Sequence, residues 1–133
     1  MSSLLGGGVM INQRLVFRTG AIFNLLVGAG LILLLPVLQP YLGMAVVPAN
    51  LKFLVDLVGM FIGAFGVAYW LLSVDFKRYR PFAAFGAVCK VLVVVIVVGH
   101  FIAGYVGIPL LALSLVDLAY AALFITILRK TDS

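Results

Sequence analysis

The chain has 133 residues, 65% of them hydrophobic and only 10% charged. A soluble domain carries about 25% charged residues, so a soluble enzyme or binding module is excluded and a membrane protein is indicated. The net charge of +5 does not point to nucleic acid. The basic residues gather at the ends of apolar runs, and no basic stripe interleaved with aromatics is present.

Residues 1–16 read as an N-terminal tail, rich in Gly and Ser over "MSSLLGGGVMINQ". A four-helix transmembrane domain follows over 17–130, and 131–133 form a C-terminal tail. Crossing a ~30 Å hydrocarbon layer takes roughly 20 residues. The first predicted span covers 17–35. It reads as a span rather than a cleaved leader, because the basic region begins late and the apolar run is too long. "PVLQPYLGMAVVPAN" carries three prolines and reads as the first external loop. The second span covers 51–74, and "DFKRYRP" reads as a short basic turn. The third span covers 82–105, the fourth 110–128. "VLVVVIVV" within the third has strand-like β-branched content. The apolar stretch around it is far too long for a strand, and in a bilayer a helix satisfies its own backbone. The expected fold is therefore all-α, a polytopic up-down bundle of four helices.

Arg14, Arg18, Lys77, Arg78, Arg80, Arg129 and Lys130 all fall on one side of such a bundle; the other side has only Lys52. The positive-inside rule predicts both termini in the cytoplasm of a cell whose inner (plasma) membrane holds the protein. Tyr41, Trp70, Tyr79 and Tyr105 lie near span ends, where interfacial aromatics sit. "LVDL" occurs at 54–57 and again at 115–118, a faint repeat that chance apolar similarity explains equally well.

Polar residues at membrane depth are the candidate site. Lys90 lies ~12 Å and Asp117 ~16 Å from the basic ends of spans three and four, at about 1.5 Å per residue. An unpaired ion at midplane costs on the order of 3 kcal/mol, so an inward-facing Lys90–Asp117 ion pair is expected. Asn24, ~10 Å deep by the same rise, is expected to join it, and Tyr120 shares a helix face with Asp117. Asp56 and His100 both fall ~27 Å from that side, and an Asp beside a His can fix its tautomer. Each set has a plain alternative. The ion pair can serve packing alone, Lys90 can snorkel toward headgroups, and Asp56 and His100 can simply be solvated.

Asp56, Gly59, Gly63, Gly66 and Trp70 share one face of span two, and Gly20, Asn24 and Gly28 make a matching strip on span one. "GMFIG" is a GxxxG element, suited to close helix approach. Packing of spans one and two within the monomer is the expectation. A dimer face, or room for a lipid, quinone or pigment tail, are the alternatives. No P-loop or dinucleotide fingerprint is present, and one Cys with one His predicts no metal site. No residue stands out as catalytic. Lys90, Asp117 and Tyr120 are the acid–base candidates if chemistry occurs.

"RTGAIFNLLVGAGLILL", the proline-bearing outer loop and "DLVGMFIGAFGVAYWLL" together resemble the DoxX-like group of small bacterial four-helix membrane proteins. In that group span two typically opens with an acidic residue and continues with spaced glycines; Asp56, Gly59, Gly63 and Gly66 match in kind, with Asp for the more usual Glu. The resemblance implies an accessory subunit of a quinone-linked oxidoreductase assembly. Lys90 and "DFKRYRP" lie outside its pattern. The leading expectation is thus a non-catalytic membrane subunit in a larger, energy-converting complex, its partners being membrane lipids and other membrane subunits or its own copies, without nucleic acid and without a resident cofactor. The competing expectation is a membrane-embedded enzyme or carrier for an isoprenoid, quinone or lipid, which requires a cavity at the Lys90–Asp117 level.

Overall fold

The computed structural model describes residues 12–131. Its helices are α1 (Gln13–Leu33), α2 (Leu35–Leu42), α3 (Lys52–Val74), α4 (Phe76–Ile102) and α5 (Ile108–Lys130), with a single 3-10 turn at Ala49–Leu51 before α3. Among the described residues there is no strand. Four helices, α2 excepted, are long and apolar enough to cross a membrane, with mean hydropathy from 1.8 to 2.6. The shortest, at 21 residues, extends ~32 Å at 1.5 Å per residue. The chain is an all-α, multi-pass membrane protein.

Local chemistry sets the helix ends and shifts several of the expected boundaries. The Asn12 side chain accepts from the Leu15 N–H at 3.1 Å, so α1 begins at Gln13, inside the stretch read as a tail. Asp75 does the same for α4, accepting from the Arg78 N–H at 3.2 Å. The basic stretch is consequently the first turns of α4, and Asp75 alone separates α3 from α4. Pro81 sits inside that helix, in its second turn, where it has no N–H to donate to the Lys77 carbonyl. The outer loop is not wholly irregular: Pro36 stands in the first turn of α2, and Gly43 ends that helix with φ of 71°, a conformation open to glycine at little cost. A Cβ on Gly43 would stand 2.9 Å from the Gly107 Cα, so these two glycines let the far loops meet. The Gln39 side chain, buried, accepts from the Val47 N–H at 2.6 Å and holds the loop to α2. Tyr105, expected within span three, lies beyond the end of α4, and Thr131, expected in the C-terminal tail, caps α5.

The four long helices form a ring of antiparallel neighbours, α1–α3–α4–α5. The α1–α3 seam is the tightest. A Cβ on Gly28 would lie 2.5 Å from the Gly59 carbonyl oxygen, one on Gly59 2.8 Å from the Gly28 oxygen, and one on Gly66 3.0 Å from the Ala21 oxygen. The glycine strips pack within the monomer, as expected. Gly63 differs: its own Cβ would meet nothing within 4 Å, and it takes part only by offering backbone to Gly28. Gly20 leaves space for the Tyr120 ring at 3.4 Å.

All seven clustered cations belong to one end of this bundle, at the start of α1, the start of α4 and the end of α5. At the far end, Lys52 donates to the Ile32 carbonyl at 3.0 Å and pairs with Asp56. A cation on the last turn of α1 complements the helix dipole.

Candidate functional site

Depth places the polar residues together. Lys90 lies 14 residues beyond Phe76, Asp117 13 before Lys130, and Asn24 11 beyond Gln13, or ~21, ~20 and ~17 Å along their helices. All three stand near mid-helix, deeper than the sequence-based boundaries suggested for Lys90. The Lys90 side chain is only 4% exposed. Its Nζ donates to Asp117 Oδ1 at 2.5 Å and to Asn24 Oδ1 at 3.1 Å. Asn24 Nδ2 donates in turn to the Ile62 carbonyl at 3.1 Å, so one amide ties the pair to the α1–α3 seam. The expected ion pair and its Asn24 partner are present, and opposite charges in direct contact remove most of the cost of burying either one.

Aromatic rings complete the ammonium's surroundings. Its Nζ lies 5.2 Å from the centre of Tyr69, 5.6 Å from Tyr120 and 5.7 Å from Phe23, within cation–π range. Tyr120 therefore joins through its ring, which faces Phe23 at 6.1 Å. Its hydroxyl donates to Thr19 Oγ1 at 2.8 Å, not to the ion pair, which removes it as a direct proton partner of Asp117.

Tyr69 escaped the sequence reading. Beside Trp70 it resembles one more interfacial aromatic, yet it is 1% exposed and its ring centre lies 5.0 Å from that of Phe124. Its signal was spacing: Tyr69 follows the buried Gly59 and Gly66 at helical intervals. Gly86 on α4 makes room for it, since a Cβ there would fall 2.7 Å from the ring.

Asp56 and His100 are not brought together. Asp56 pairs with Lys52 four residues before it on α3, and the exposed His100 has its ring 6.1 Å from that of Tyr105. Equal depth did not mean equal azimuth, and the nearer cation took the carboxylate. The two "LVDL" copies thus differ, one aspartate lying at the surface and the other in the interior. Among the described residues no group of His, Cys, Asp or Glu could hold a metal ion.

Above the polar cluster, toward the far end, the bundle encloses a cavity of about 240 Å³. Asn24, Tyr69, Lys90 and Asp117 form its floor. Phe23, Val27, Ile62, Phe65 and Leu113 form apolar walls, and the half-buried Cys89 lies beside Lys90. The exposed lining residues, Val58, Phe61 and Val93, are on α3 and α4. The mouth therefore lies on the α3–α4 side, at membrane depth.

No family model, no curated protein and no solved structure matches this chain. The resemblance to the DoxX-like group accordingly rests on the quoted residues alone.

Proposed function

We propose that this protein holds a lipophilic molecule, an isoprenoid, quinone or other lipid, inside its bundle, with the polar head on the Lys90–Asp117 floor and the tail in the bilayer. One observation carries the reading: an apolar cavity ends on a charged, hydrogen-bonded cluster at mid-membrane and has its mouth at the same depth. Binding sites have this form, mostly apolar with a few convergent polar groups. A cavity of about 240 Å³ is smaller than the ~300–1,000 Å³ that encloses a whole drug-sized ligand. It suits a head group with its first chain segment. The positive-inside rule favours a cytoplasmic basic end, and the DoxX-like resemblance implies a bacterial inner membrane.

A second reading, a non-catalytic subunit packing against other membrane helices, is supported by the open helix faces. Only 22–33% of each helix's most apolar window is buried within the chain. The two readings combine if a larger quinone-linked complex uses this chain to present its lipophile, as the DoxX-like resemblance implies.

Mild extraction into native nanodiscs, followed by mass spectrometry of everything bound, tests both. The binding reading expects one lipophile enriched far above bulk membrane lipid, and its loss in Val93→Trp, which fills the mouth. Bulk lipid alone in both proteins refutes it. The subunit reading expects a stoichiometric membrane partner, and migration as a lone monomer refutes it.

A further inference from the structure

The hydrogen bonds left open on the cavity floor define the head group. Tyr69 is 1% exposed, and among the described residues its hydroxyl makes no hydrogen bond. Among the described residues no fully sealed side-chain N or O lacks a partner, so this oxygen is not sealed, and Tyr69 is one of the residues lining the cavity. Asp117 uses only Oδ1, for Lys90. Its side chain is 18% exposed and lines the same floor. The floor therefore offers the Tyr69 O–H as a neutral donor and the second Asp117 oxygen as an acceptor, beside a Lys90 ammonium that has two acceptors for its three hydrogens. Lys90 Nζ lies 2.5 Å from Asp117 Oδ1 and 5.2 Å from the Tyr69 ring centre, so both side chains flank the same ammonium.

Charge narrows the class further. The Lys90 ammonium and the Asp117 carboxylate neutralise each other, so the floor has no net charge. An anionic head would enter a low-dielectric space beside a carboxylate that already holds the cation, leaving two negative charges on one ammonium. A neutral hydroxyl fits, because a single oxygen can accept from one group while donating to another. Building on the lipophile-binding reading above, we propose that the cavity takes an uncharged, hydroxyl-headed lipid whose oxygen accepts from Tyr69 and donates to Asp117.

Native mass spectrometry of the intact protein, titrated with probes of one chain length, tests this. The probes are dodecan-1-ol, dodecan-2-one and dodecanoate. The alcohol is expected to bind one to one. The ketone, which cannot donate to Asp117, should bind about ten-fold weaker, and the carboxylate at least about a hundred-fold weaker. Tyr69→Phe keeps the ring against Gly86 and Phe124 and removes only the hydroxyl; it should weaken the alcohol about ten-fold. Val93→Trp serves as the blocked control. If dodecanoate binds as well as the alcohol, or Tyr69→Phe leaves alcohol binding unchanged, the hydroxyl assignment is wrong while lipophile binding stands. If no probe binds the wild type better than Val93→Trp, lipophile binding itself fails, and the head-group assignment with it.

Discussion

The two halves of this bundle are built on opposite plans. Toward the basic end, Phe17, Ala21, Tyr69, Leu72, Ala83, Ala87, Phe124 and Ile127 form one buried cluster, in which all four long helices meet. The Phe17 and Phe124 rings lie 4.7 Å apart, and small residues such as Ala83 and Gly86 let α4 approach. Toward the far end the same helices separate into two pairs. α1 and α3 stay locked by glycines, while buried residues on α4 stop at Val94. The space between the pairs is the cavity, and Lys90 with Asp117 marks the level where four-helix packing gives way to it. Hydrocarbon does not drive apolar side chains together, since lipid tails are as apolar as they are. A membrane bundle is therefore free to stay open wherever small residues and polar contacts do not close it.

The contrast can be broken by mutation. The largest effect is expected at the closed end: Phe124→Ala should cost about 4 kcal/mol, read as unfolding in a detergent titration. Phe61→Ala, the same deletion at the cavity mouth, should cost less than about 1 kcal/mol, because Phe61 is already 58% exposed. Equal losses would mean that the far half is packed as tightly as the basic half.

At the boundary, Lys90→Met strands Asp117 and Asn24 and should cost about 3 kcal/mol. Lys90→Met with Asp117→Leu should recover much of that loss. Strict additivity in this double-mutant cycle would show that the pair does not interact. Within the glycine seam, Gly28→Ala should cost about 2 kcal/mol by driving a methyl into the Gly59 carbonyl. Gly63→Ala should lie within about 0.5 kcal/mol of the wild type, or gain slightly through helix propensity. A similar loss at both positions would contradict the one-sided register of the seam.

Much of the fold was legible because membrane physics writes it in long, unambiguous runs. Four spans, their antiparallel order and the end holding seven cations all follow from run length and Lys/Arg placement. The Lys90–Asp117–Asn24 cluster was legible for the same reason: ions at midplane need partners, and depth along a helix is easily counted. Depth does not give direction around the helix, however. Matching depth alone therefore cannot pair Asp56 with His100: Lys52, four residues earlier on the same helix, is the partner, and His100 is exposed, as the solvated alternative has it. Helix ends were misread where capping side chains decided them. Asn12 and Asp75 extend α1 and α4 into stretches whose composition looked like tail or turn. Tyr69 was hidden because an aromatic near a span end has an ordinary interfacial explanation. Only the glycine opposite it, Gly86 on another helix, reveals that its ring is buried.

The most direct test is a density map of the protein kept in native-membrane nanodiscs, at a resolution that shows side chains. The account predicts a space between α3 and α4 above Lys90, filled by elongated density whose polar end meets Tyr69 and Asp117. A map in which Phe61, Phe65 and Val93 close over Lys90, with no density between them, would contradict it.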